Sequence, residues 1–168
     1  PKYYEKLSAD YEKKYKKYKD KQFPKITSIN GEVHLYPKES KVEFRGVYNL
    51  KNKTDNGIDT IHSNFSSRDP YLTYIWSAPN ELVDRDSVFG WDTYVFDPPI
   101  FPGEEISLTF SGSRKRKGFS NSGVDMTVID NGTMIFSSQL LPTFGYNSDR
   151  ELSQKRTRKK YGLNEEKE

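Results

Sequence analysis

Val42-Glu43-Phe44-Arg45-Gly46-Val47-Tyr48-Asn49-Leu50 decides how this chain is read. Val42, Phe44, Gly46, Tyr48 and Leu50 recur every second residue, the period at which side chains share one face of a β-strand. Val33 and Leu35 continue that spacing upstream, across the turn signal Tyr36-Pro37-Lys38-Glu39-Ser40. Ile106, Leu108 and Phe110 repeat it downstream, so three half-buried strands are expected. Tyr71 to Trp76 is aromatic on both alternating faces, which predicts a central or covered strand. Thr93 to Phe96 and Val124 to Ile129 supply two more. Asn56-Gly57, Asp97-Pro98-Pro99 and Pro102-Gly103 separate them as turns.

Asn131-Gly132 is the sharpest local signal, because both residues tolerate the positive φ of a two-residue hairpin turn. That turn would place Asp130 opposite Thr133, Ile129 opposite Met134 and Val128 opposite Ile135. Short strands joined by Pro and Gly corners define an all-β chain. The expected form is an antiparallel β-sandwich or saddle-like assembly.

Outside this body the periodicity changes. Tyr4, Leu7, Tyr11, Tyr15 and Tyr18 recur at spacings of three and four, one side of an amphipathic helix, with lysines over most of the remaining circumference. Pro24 ends the pattern. The expected organisation is an N-terminal helix over 1–22, an antiparallel β domain over 23–149, and an extended or helical basic tail over 150–168.

The 168 residues suffice for one domain with appendages and a substantial core. An aromatic content of 14% argues against a wholly disordered chain, and a mean hydropathy of -0.92 implies wet loops and termini. The net charge of +3 hides a division: residues 1–21 carry 8 basic and 4 acidic side chains, residues 150–168 carry 7 and 4, and the stretch between carries 12 and 16. Basic character therefore belongs to the ends. A nucleic-acid domain more often spreads it over a folded face beside a reading motif. Without cysteine there is no disulfide, thiolate nucleophile or cysteine-held metal. The apolar runs are too short for a bilayer-spanning helix.

Reactive constellations are incomplete. His34 and His62 are the two histidines, and neither has an acidic or histidine partner at metal-binding spacing. Asp84 with Asp86, and Glu104 with Glu105, sit in turn-like contexts where charge needs no catalytic explanation. There is no nucleophile elbow or phosphate-binding glycine loop, so Ser111, Ser113 and Ser120 are poor nucleophile candidates. Arg114-Lys115-Arg116-Lys117, framed by Gly112 and Gly118, reads as a solvated connection between strands. The glycosylation triplets at Asn52, Asn64 and Asn131 are weak signals.

Asn131-Gly132-Thr133, Gln139-Leu140-Leu141-Pro142-Thr143-Phe144-Gly145-Tyr146, Arg150-Glu151-Leu152 and Tyr161-Gly162-Leu163 together resemble the end of the amino-terminal β domain of bacterial M1-like zinc aminopeptidases, especially the form fused to ABC-type permease segments. Ile26 through Leu50 resembles that domain's opening meander. The resemblance implies a non-catalytic domain that packs on a following peptidase domain and shapes access for its peptide substrate. It places no catalytic or metal-binding residue and no cofactor in this chain. Zinc belongs to the following domain if the parent is active. Gln139 is the candidate to bind a substrate's α-amine. Tyr4, Leu7, Tyr11, Tyr15, Tyr18, Phe144, Tyr146 and Arg150 are the candidate interface. The implied parent is a membrane-associated metallopeptidase with permease segments and the domain extracytoplasmic.

The alternative is a stand-alone protein- or glycan-binding sandwich. Tyr71, Tyr74, Trp76 and Trp91 would then converge in an open groove. Nucleic-acid binding is the weaker reading, and needs Lys13 to Lys19, Arg114 to Lys117 and Arg156 to Lys160 on one face.

Overall fold

The computed structural model describes residues 2–64, 72–115, 127–129, 132–134 and 140–167. Two compact units emerge: a terminal unit of Pro1–Gln22 with Gly145–Glu168, and a β unit of Phe23–Phe144. The chain is all-β in its body, with two four-stranded antiparallel sheets, an N-terminal helix and a C-terminal helix.

In the β unit, the strands are β1 (Lys25–Tyr36), β2 (Lys41–Lys51), β3 (Ile58–Asn64), β4 (Thr73–Trp76), β5 (Asn80–Asp86), β6 (Trp91–Ile100), β7 (Glu105–Lys115), β8 (Thr127–Ile129), β9 (Gly132–Met134) and β10 (Thr143–Phe144). The first sheet runs β1-β2-β7-β4 and the second β10-β3-β6-β5, while β8 and β9 pair separately. The period-two alternation is realised on β2, where Val42, Phe44, Tyr48 and Leu50 are buried. They meet Ile106, Leu108 and Phe110 of β7, Ile58 and Ile61 of β3, and Tyr94, Phe96 and Ile100 of β6, so the core lies between the two sheets. Trp76 ties the layers together, with ring centroids 5.7 Å from Tyr94, 5.4 Å from Phe96 and 5.9 Å from Phe144.

Two glycines admit phenylalanine rings. Gly46 faces Phe110 across β2 and β7, and Gly112 faces Phe44. A Cβ at either position would lie 2.6 Å from the Cζ of the opposing ring. Each ring therefore covers the other strand's glycine, a reciprocal use of the space a side chain would take.

Asn52 pins the connection after β2. Its Nδ2 donates to Asn56 O and to Ile100 O, each at 2.8 Å, and its Oδ1 accepts from Thr54 N and Thr54 Oγ1. The buried amide is thus fully engaged, which removes the Asn52 triplet as a glycosylation acceptor in the folded chain. The β1–β2 turn is a 3-10 segment at Pro37–Glu39 closed by Ser40 in the left-handed region, φ 47°.

Several expectations need correction. β1 alternates as read, but all twelve of its residues are exposed, because alternation assigns faces without guaranteeing a layer to cover them. The strand ending at Trp76 begins at Thr73 and lies at a sheet edge rather than centrally, with Ile75 exposed. Asp97-Pro98-Pro99 is no turn: β6 continues through it to Ile100, with a cis Asp97–Pro98 bond. The β8–β9 register sets Ile129 opposite Gly132, Val128 opposite Thr133 and Thr127 opposite Met134. That is two residues from the expected register. A slip of two keeps every side chain on its face, so the pattern alone does not distinguish the registers. Tyr71, Arg116 to Ser120, Val124, Asp130, Asn131, Ile135 and Gln139 lie outside the described residues.

The terminal unit is helical. α1 covers Lys2–Tyr15 and continues as a 3-10 turn at Lys16–Tyr18. A 3-10 turn at Ser148–Arg150 precedes α2, Lys155–Lys160.

Candidate functional site

The terminal unit gathers four of the eight candidate interface residues around buried charge. On α1 the buried positions are Ala9, Tyr11, Glu12 and Tyr15. The Tyr11 ring stacks on Tyr146, centroids 5.3 Å apart and planes within 10°, and the Arg150 guanidinium lies 4.0 Å from the same ring. Such a contact favours the cation electrostatically and adds apolar area. The Tyr11 hydroxyl accepts from Asn147 N at 3.0 Å, and Tyr15 packs against Tyr11 with centroids at 5.4 Å. The other four candidates go elsewhere. Tyr4 is 59% exposed, Leu7 and Tyr18 are half-buried, and Phe144 packs in the β unit beside Tyr48 and Trp76.

Beside this stack lies Arg158, fully buried on α2. Its Nη1 and Nη2 donate to Glu12 Oε2 and Oε1 at 2.9 and 2.8 Å, a bidentate pair. The remaining donors reach backbone carbonyls of Asn164 at 2.6 Å, Leu152 at 2.9 Å and Glu166 at 3.4 Å. All five N–H groups are therefore used. Glu151 stands 3.7 Å from Nη1 and accepts the Tyr146 hydroxyl proton in a 2.9 Å hydrogen bond. Lys16 adds a 3.1 Å contact to Glu12.

Burial opposes ionisation of Glu12, but hydrogen bonds from Arg158 and Lys16 outweigh it and hold its carboxyl below the usual range. The Glu12 hydrogen bond holds Arg158 more firmly protonated than usual. Burial, and then the bond to Glu151, push the Tyr146 phenol upward. These groups hold their protons or charges firmly, which suits a lock between the two ends of the chain and not proton transfer.

Glu12, Glu151 and Arg158 escaped the sequence reading as a group. Glu12 sits within a lysine-rich helix and Arg158 among Arg156, Lys159 and Lys160. No one-dimensional pattern marks which of these charges goes inside. A second buried charge was also missed: Asp92 on β6, fully buried, receives Arg85 Nε and Nη2 at 2.9 and 2.6 Å and Tyr94 Oη at 3.3 Å.

The other candidate groups have structural roles. His62 is buried on β3, with Nδ1 3.1 Å from Thr93 Oγ1 and its ring beside Trp91. His34 is exposed on β1, 3.5 Å from Glu32. Asp86 accepts from the backbone of Val88 and Phe89, Glu104 from Phe101 N, and Glu105 pairs with Lys51. Ser111 and Ser113 line an open groove of about 390 Å³ with His34, Tyr36, Glu43 and Arg45. The carboxylate there already meets Lys41 and Tyr36. Trp76 and Trp91 are core residues and Tyr74 is half-buried, so these three do not make the open aromatic groove the glycan reading required.

Among the described residues no group of three or more His, Cys, Asp or Glu is placed to hold a metal ion, and no helix is long and apolar enough to cross a membrane. The zinc, metallopeptidase and membrane expectations are therefore corrected for the described residues of this chain. Comparisons with protein-family models, with curated proteins and with solved structures found no match.

Proposed function

We propose that this chain is a non-catalytic β domain of the M1-like aminopeptidase kind, which packs on a separate peptidase domain and shapes peptide access to it. One observation carries the reading: the buried ionic groups of the terminal unit are consumed in internal pairing, with Arg158 using every donor on Glu12 and backbone carbonyls. Side chains so committed orient a surface; they do not turn over a substrate. In this reading the chain itself holds no metal and cleaves no bond. Peptidase contact would come through the exposed parts of the terminal unit, where Tyr4 and the α1 lysines stand in solvent.

The test is the native polypeptide, captured with an antibody raised against this chain and mapped by tryptic mass spectrometry. The reading expects peptides contiguous with this sequence that belong to a peptidase domain, and no aminopeptidase activity from the 168 residues alone. A native product of 19.6 kDa without such a domain, or peptide hydrolysis by the chain alone, overturns it.

A further inference from the structure

Among the described residues the two four-stranded sheets have four edge strands, and three of them are blunted by devices that keep natural edges from pairing. β4 has four residues and β10 two. β5 carries a register irregularity between Leu82 and Asp84, followed by Asp84, Arg85 and Asp86. Short length, bulges and charge are how proteins protect an edge. β1 differs: twelve residues long and without proline, it pairs with β2 on one side, and among the described residues no strand takes the other. Its one irregularity, between Ile26 and Ser28, leaves Ile29 to Tyr36 regular.

The faces of β1 follow from its register. Ile29, Gly31, Val33 and Leu35 lie opposite Tyr48, Gly46, Phe44 and Val42, so they share the core-facing side of the first sheet. Yet Ile29 is 54% and Val33 52% exposed. Asn30, Glu32, His34 and Tyr36 occupy the other side. A suitable partner must be extended, apolar on one face and polar on the other, with its own open edge.

We propose that the occupant is β1 of a second copy, paired antiparallel about a two-fold axis at Val33. In that register Val33 faces Val33, Leu35 fills the space beside Gly31, Glu32 lies opposite His34, and Asn30 lies opposite Tyr36. Acceptor meets donor and large meets small, twice each, as an isologous contact requires. Neighbouring registers are worse. Centring on Glu32 sets two carboxylates face to face, centring on His34 sets two imidazoles together, and centring on Gly31 runs the irregularity at Ile26 into the partner. An odd slip turns apolar side chains to the polar face.

Sedimentation velocity of the 168-residue chain from about 10 to about 500 µM tests the pairing. The expected mass rises from 19.6 kDa towards twice that value. Val33→Lys, an exposed substitution that should leave the far-UV circular dichroism unchanged, opposes two ammonium groups on the axis and weakens association at least about tenfold. Because the chain has no cysteine, Val33→Cys adds a second readout, with Val83→Cys on β5 as control. Mild oxidation should cross-link the Val33 variant much faster, since residues facing each other across an antiparallel pair lie within disulfide reach. A chain that stays monomeric throughout, association unchanged by Val33→Lys, or cross-linking no faster at Val33 than at Val83 overturns the proposal.

Discussion

At the scale of single residues, the most consequential side chain is Arg158. Replacing it with Met takes the buried guanidinium from Glu12, which keeps only Lys16, and from Glu151, and breaking such a buried pair costs about 3–5 kcal/mol. Urea denaturation followed at 222 nm should show the helical signal lost at markedly lower denaturant, and Arg158→Lys should rescue it only in part because it lacks the planar fork. The paired glycines make a second prediction. Gly112→Ala and Gly46→Ala each press a methyl group into a buried ring, which should destabilise the fold by roughly 1–3 kcal/mol. Gly46→Ala should be the worse, because its Cβ would also lie 2.8 Å from the backbone oxygen of Asn30, which has no rotamer to retreat to. Thermal melting of the two variants checks the order. Neither glycine's role was legible in sequence, where Gly46 merely kept the alternation of β2.

At the scale of elements, α1 was legible and its partner was not. Spacings of three and four set out the tyrosine stripe, but the buried face also holds Ala9 and Glu12, and its packing on Tyr146 comes from a segment more than a hundred residues away. The ionic lock gives this contact a pH dependence. Because Glu12 is held below its ordinary value in the folded chain, its contribution is present above the unfolded carboxyl value of about 4.3 and is lost as pH falls through the lower folded one. An acid titration should therefore unlock α1 below about pH 4.3, with loss of hydrogen-exchange protection, relative to the intrinsic rate at each pH, at the Asn147 amide that Tyr11 holds. Protection of that amide unchanged at pH 2–3 would contradict the assignment. Among the strands, β2 and β7 were legible in period and face. β1 was legible in period alone, because its burial depends on a second layer the alternation does not encode.

At the scale of the whole molecule, the β unit is held by aromatic residues drawn from both sheets. Burial pushes the phenols of Tyr48, on the first sheet, and Tyr94, on the second, up to about 12. A raised phenol value means the folded state retains the proton, so this stability is intact below about pH 10 and lost as pH climbs towards 12. Absorbance at 295 nm should show exposed tyrosines ionising first, with Tyr48 and Tyr94 ionising only as the β signal collapses. The sequence by itself determined the all-β class, the helical start and the spacing of the tyrosine stripe, because these rest on local period, turn chemistry and residue identity. Only the tertiary structure decided that Trp76 and Trp91 belong to the core, that Asp92 and Arg158 are buried ions, and that β1 presents an apolar row to solvent. Those facts depend on which distant segments meet, and a linear pattern of polar and apolar residues contains the faces of each element but not the neighbours that cover them.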